Sequence, residues 1–482
     1  MEVLLPAVVA IALALWTRQI YLSLLAGLWL GTTLLAGGNP VAGLRLLAEE
    51  VVAVFDSASN ARILIFCILV GGLVALVQAS GGVAGFIRWA RDGGWGQTRR
   101  RAELLAWGTG MALFVESNVS SLTVGAVSRP LFDTLRIPRE KLAYYCDATC
   151  APVCMMVPLN GWGAYVLGLL AAQSSGGGGN AVALLVGALP YNFFALFAIL
   201  FALGLAVTGW GFGPMRRAEE RAEKTGNVLA EGAQPMVSEE IAALEPVEGA
   251  PRQARDLVVP LAAMVSMIFV GLYVTGDGDL MAGSGSTAVL WAVGVAVGGS
   301  ALFYAVPRPL ASAFRGEARP VLSLTESTEW ALKGGAGLLG VTVLLVLAFA
   351  LGSVSRQLGM GTYLVGLVEG VGAAWWMPAA VFAVNGSVAF ALGSSWTAFA
   401  IMIPIALPLA EGLGLSAPLV LGATLSGGIF GDHASPLSDT SIISSMAAAS
   451  DHVDHVNTQL PYSLTVAAAA LAAFLVAGAL AL

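Results

Sequence analysis

Four acidic side chains, Glu116, Asp147, Asp432 and Asp439, stand inside long apolar stretches of this chain, and hydroxyl or amide residues cluster around each. Glu116 is followed by Asn118, Ser120, Ser121 and Thr123; Asp147 by Thr149 and, further on, Asn160. Asp432 is followed by His433, Ser435, Ser438, Asp439 and Thr440, and a fourth cluster, Ser394, Ser395 and Thr397, has no acid. A charge at the bilayer centre costs at least about 2.5 to 3.5 kcal/mol, so intramembrane carboxylates are functional candidates by default. Hard oxygen ligands suit a hard cation. Where a helix is interrupted, free carbonyls and half-helix ends join such side chains in replacing the hydration shell of Na+. We therefore expect Na+ at Asp147, Asp432 and Asp439. Asp147 and Asp432 would alternate between Na+ and a proton, the simplest mechanism of antiport, while Glu116 and Asp439 tune the field and His433 carries protons. His452 and His455 are expected to form a cytoplasmic cap or pH-sensing surface rather than a metal site.

These residues must be positioned by helices. Of 482 residues 57% are hydrophobic and 11% charged, against roughly 25% charged in a soluble globular protein, so the fold class is an all-α polytopic membrane protein. The net charge of −7 offers no basic face for nucleic acid. The four cysteines lie in apolar segments and cannot form a secreted disulfide framework. The apolar stretches fall into two similar sets. Residues 1–210 hold a polar-tipped hairpin at about 104–132 and a broken helix at about 142–172; residues 257–482 hold a hairpin at about 375–410 and a broken helix at about 417–449. Residues 211–256 read as a solvated cytoplasmic linker, and Pro40 to Phe55 as an amphipathic arm at the membrane interface. Aligned on their polar residues, Asp147 pairs with Asp432 and Ser120 with Ser394. If the first hairpin is re-entrant, twenty of the 23 Lys and Arg fall on one side, as the positive-inside rule requires for the cytoplasm. The two halves then lie inverted in the membrane, a symmetry suited to alternating access.

Gly427 to Ser445 (Gly-Gly-Ile-Phe-Gly-Asp-His-Ala-Ser-Pro-Leu-Ser-Asp-Thr-Ser-Ile-Ile-Ser-Ser) and Asp451 to Tyr462 (Asp-His-Val-Asp-His-Val-Asn-Thr-Gln-Leu-Pro-Tyr) closely resemble the C-terminal signature of the NhaC family of sodium/proton antiporters. Gly393 to Ala406 and Lys141 to Cys154 resemble two further family blocks, supported by Leu122 to Gly125 and Arg129-Pro130. The resemblance implies a Na+-coupled carrier, a homodimer with an elevator-like scaffold and moving transport domain, without a cofactor and in the cell inner membrane or plasma membrane. It departs at the first hairpin. Family members commonly carry paired aspartates followed by an aromatic and an asparagine where this chain has Glu116-Ser-Asn-Val-Ser120. A tip that has lost charge and bulk makes room for an organic solute or leaves a lone Na+ site. The leading expectation is Na+/H+ exchange, with Na+-coupled transport of a small organic acid or amino acid as the alternative. A hydrolase using Ser435 or Ser438 with His433 and Asp439 is disfavoured, because the polar residues recur in both halves.

Overall fold

The computed structural model describes residues 2–17, 20–92, 98–114, 116–173, 181–235, 246–247, 250–280, 282–309, 318–359, 363 and 374–481. Lipid offers the backbone no partners, so a spanning segment must bond its own N–H and C=O groups. Among the described residues the one extended pairing is a two-residue ribbon, Arg308–Pro309 against Ala318–Arg319. Helices α1 (Leu5–Thr17), α2 (Ile20–Leu35) and α3 (Pro40–Ala53) precede α4 (Ala58–Ala79) and α5 (Gly82–Asp92). The turn into α3 uses two glycines at positive φ, Gly37 and Gly38. Asn39 then caps Val41 and Ala42, and the expected amphipathic arm folds back at 115° from α2.

The first hairpin is α6 (Arg99–Ala112) and α7 (Ser117–Thr134), followed by α8 (Arg139–Ala148), α9 (Ala151–Met156), α10 (Gly161–Gln173), α11 (Ala181–Ala188), α12 (Phe193–Thr208) and α13 (Gly213–Thr225). Next come α14 (Arg255–Thr275), α15 (Gly285–Ala305), α16 (Leu324–Gly337) and α17 (Leu339–Gln357). The second hairpin is α18 (Met377–Leu392) and α19 (Ser395–Gly412), before α20 (Ala417–Ala434), α21 (Asp439–Ala448) and α22 (His452–Leu480). Six of the described helical segments are long and apolar enough to cross a membrane, or nine if each sharply bent pair counts as one span. The chain is a multi-pass membrane protein.

The two halves keep a common spacing. Helices α7 and α19 have 18 residues each, residues 139–156 match the 18 residues of α20, and four-residue breaks follow at 157–160 and 435–438. Each start in the second half falls 278 positions after its counterpart: 117 and 395, 139 and 417, 161 and 439. This spacing gives a different pairing from the one made on polar residues. Glu116 is level with Ser394 and Asn160 with Ser438, whereas Asp147 is level with Leu425 and Asp432 with Cys154. The 45° bend of the first broken helix lies at Val157–Asn160, and a further interruption at Thr149–Cys150 separates α8 from α9 just after Asp147.

The linker reading also needs correction where it is described; residues 236–245 and 248–249 lie outside the described residues. Helix α13 buries Met215, Ala218, Glu219 and Ala222. Lys141 of α8, 2% exposed, reaches Glu103 of α6 at 2.8 Å and Glu219 of α13 at 2.7 Å. Arg221 pairs with Glu140 at 2.9 Å, and Arg99 with Glu223. The Arg and Glu that suggested a solvated segment are the groups that dock it.

Removing one partner of a buried ion pair leaves an uncompensated charge and costs about 3 to 5 kcal/mol. Lys141→Met should therefore lower the thermal unfolding midpoint in detergent, and adding Glu103→Gln and Glu219→Gln should recover much of the loss. An unchanged midpoint in the single variant would count against this cluster as the anchor.

Candidate functional site

The site begins with four helix starts. Glu116 caps α7, its Oε2 accepting from Val119 N at 2.8 Å, with extended backbone (φ −151°, ψ 130°). Ser394 caps α19 in nearly the same conformation (φ −156°, ψ 118°), accepting from Thr397 N at 3.4 Å. Asn160 accepts from Trp162 N and Gly163 N at the start of α10, and Ser438 accepts from Ser441 N at the start of α21. At the second hairpin tip, Gly393 has φ +65°, and a Cβ there would sit 2.5 Å from the Leu437 carbonyl oxygen. Glycine is therefore required both for the left-handed turn and for contact with the 435–438 break.

These starts surround a cavity of about 250 Å³. Glu116, Ser117 and Asn118 line it from one tip, and Ser394, Trp396 and Thr397 from the other. Trp162 comes from α10, and Asp439 and Thr440 from α21. The Trp162 and Trp396 rings lie 5.2 Å apart, and Tyr165 donates to the Trp396 carbonyl at 2.7 Å. Four partially positive helix N-termini, two acids and an aromatic pair thus face one space. Among the described residues no Lys or Arg lines it.

Asp432 and Asp147 lie behind this chamber, each 1% exposed. Asp432 Oδ2 accepts from Ser395 N at 3.1 Å and Ser395 Oγ at 2.5 Å; its Oδ1 accepts from Ser438 Oγ at 2.6 Å. Thr440 Oγ1 stands 2.9 Å from Ser438 Oγ. Asp147 Oδ2 accepts from Ser441 Oγ at 2.9 Å and Gln459 Nε2 at 2.5 Å, with His433 Nδ1 at 3.1 Å. Asp147 Oδ1 is buried with no hydrogen-bond partner. Ser438 and Ser441, one turn apart on α21, thus hold one acid from each half.

The remaining expected ligands have other tasks here. Thr123 and Thr149 donate to Val119 O and Tyr145 O of their own helices. Ser121 Oγ meets Ser444 Oγ at 2.9 Å, and Ser120 Oγ is buried without a partner. Ser435 donates to Phe390 O, tying the break to α18. Asn160 also donates to Phe114 O and Cys154 O, tying its break to the first hairpin. His433 sits on Asp147 rather than on either serine of the hydrolase arrangement. His455, expected at a surface, is fully buried: it lies on the face of α22 turned toward Asp147, one turn before Gln459. Sequence reading missed Gln459, Trp162 and Trp396, and gave Ser441 no task. A glutamine four residues after a histidine on an otherwise apolar helix, and the Ser438-Ser441-Ser445 stripe, were the available signals.

Broken helices meeting at hairpin tips around enclosed carboxylates define a secondary transporter. The model of the Na+/H+ antiporter family matches residues 153–479, and the chain belongs to that family. It is 32% identical to an uncharacterized protein of Haemophilus influenzae, over 98% of this chain and 90% of that protein. Shorter matches are to the arginine/ornithine antiporter ArcD of Halobacterium salinarum, 42% identical over 20% of this chain and 19% of that one, and to the malate-2H+/Na+-lactate antiporter of Bacillus subtilis, 45% identical over 15% and 16%. Among solved structures, the YdaH transporter of Alcanivorax borkumensis shares the fold with a TM-score of 0.55 at 14% identity, covering 90% of this chain and 88% of that one.

Stripping a donor from a buried, hydrogen-bonded carboxylate costs about 1 to 3 kcal/mol. Ser395→Ala and Ser438→Ala should each destabilise the purified protein by that order. Because both act on Asp432, their combined effect should depart from the sum. Small additive losses in thermal unfolding would mean that neither hydroxyl holds the carboxylate.

Proposed function

We propose that the protein exchanges a small amino acid or related organic acid for Na+ or protons, with the solute in the chamber and the ion at Asp432 and Asp147. The chamber itself carries this reading: about 250 Å³ is far more than a dehydrated Na+ fills, since even a water molecule takes only about 30 Å³. Glu116 and Asp439 suit an ammonium group, and the four helix N-termini suit a carboxylate. The names of the two antiporters matched over short segments, for arginine/ornithine and malate/lactate, support a solute of this class. The hydroxyl groups around Asp432 favour a second reading, plain Na+/H+ exchange: Ser395, Ser438 and Thr440 need only rotate their hydroxyls for the same oxygens to take Na+. Asp439, at the chamber wall, would share the ion or the ammonium.

The 278-residue spacing supports two structural copies, and the distribution of Lys and Arg supports their inversion. In this reading residues 1–210 and 257–482 are the two repeats, and the hairpins with α8 to α10, α20 and α21 form the moving part of an elevator. The family resemblance supports a homodimer in the cell inner membrane or plasma membrane.

Proteoliposomes loaded with labelled arginine, ornithine, malate or lactate test the reading under an imposed Na+ or pH gradient. Gradient-driven flux of at least one solute is expected. Loss of one charge-assisted hydrogen bond in Glu116→Gln, about 1.5 kcal/mol or more, should slow it about tenfold. Na+-driven proton movement without flux of any solute would overturn the solute reading in favour of plain Na+/H+ exchange.

A further inference from the structure

Behind the site, outside the residues assigned to solute or ion, two histidines share one serine. Ser445 Oγ on α21 lies 2.8 Å from His455 Nδ1 and 3.0 Å from His452 Nδ1, both on α22. His455 Nε2 faces the Gln459 carbonyl oxygen Oε1 at 2.9 Å, and His452 Nε2 faces Pro436 O at 2.8 Å. A carbonyl oxygen only accepts, so both Nε2 atoms carry hydrogen. Each neutral ring then has a bare Nδ1, and the single Ser445 hydroxyl hydrogen can satisfy only one of the two.

We propose that His452, Ser445 and His455 form a proton-binding relay that takes up a proton and passes it between the partly exposed end of α22 and the edge of the Asp147 cluster. With the charge on His452, its Nδ1–H donates to Ser445 Oγ while Ser445 donates to His455 Nδ1. As Ser445 gives its hydrogen to His455 Nδ1, it receives the one from His452 Nδ1. The outcome is the mirror arrangement, with every hydrogen bond kept and the charge moved inward. A second proton is taken up when the Ser445 hydroxyl turns to Ser441 O, 2.8 Å away, leaving both rings to donate.

The relay touches both carboxylates indirectly. Gln459 accepts from His455 and donates to Asp147 Oδ2 and His433 O, so charge on His455 is felt at Asp147 without a proton crossing the amide. Charged His452 fastens Pro436, in the break that carries Ser438 to Asp432. Around the inner ring stand Asp147 of α8 and His433 of α22's neighbour α20. Near the outer ring are Asp451 and Asp454, the latter in the field of Arg221 from α13. Asp439 is the titratable residue of α21, while α12 and α18, also packed on α22, bring none.

The chain has three histidines, so ring-nitrogen NMR of the full-length, 15N-histidine-labelled protein in nanodiscs resolves each one. From about pH 5 to 9, which brackets imidazole titration, the wild type should show the protonation of His452 and that of His455 linked. Ser445→Ala should uncouple them and Ser445→Thr, which keeps the hydroxyl, should not. His452→Gln, at the partly exposed end, should abolish the second protonation of His455. Identical titrations in the wild type and Ser445→Ala, or an His455 step unchanged in His452→Gln, would overturn the relay. This readout is independent of which solute is carried, so its failure and that of the transport reading are distinguishable.

Discussion

A carboxylate withdrawn from water must be met by donors, and that constraint organises the centre of this molecule. Asp432 and Asp147 are both enclosed, and hydroxyl groups one turn apart on α21 reach one each. To do so, α21 must begin where α20 stops, which is why the chain breaks at Ser435–Ser438. It must also lie against α7 and α8 from the first half. The break and the inter-half packing are thus consequences of desolvating two acids. The orphaned Asp147 Oδ1 is the point at which this satisfaction is incomplete.

The same logic operates at the chamber. A helix start exposes N–H groups that need acceptors, and Glu116, Asn160, Ser394 and Ser438 supply them locally. Glu116 spends one oxygen on its own helix, so its carboxylate is both a cap and a chamber wall. Ser117 and Asn118 stand beside it in that wall. The shell of donors around Asp432 and the chamber meet at Ser438 and Asp439, adjacent residues facing different sides.

Farther out, Lys141 between Glu103 and Glu219 fastens the first hairpin and α13 to α8, the helix that carries Asp147. The charged periphery is thereby connected to the centre by a single short helix. The His452–Ser445–His455 chain reaches the same centre along α22 and α21 and touches the two acids through Gln459 and Pro436.

Composition and charge pattern determined that the chain is a helical membrane protein with two polar-tipped hairpins, because lipid tolerates few charges and backbone breaks are marked by Gly, Pro and hydroxyl residues. The acids Glu116, Asp147, Asp432 and Asp439 were legible for the same reason. Which acid faces which partner was decided only by tertiary structure. Asp432 and Asp147 come together on Ser438 and Ser441, and Thr123 and Thr149 turn onto their own helices. Gln459, Ser441 and His455 are distant in sequence from Asp147, and each is an ordinary helix residue until packing turns it inward. Their roles arise from hydrogen bonds between helices, which no local pattern encodes.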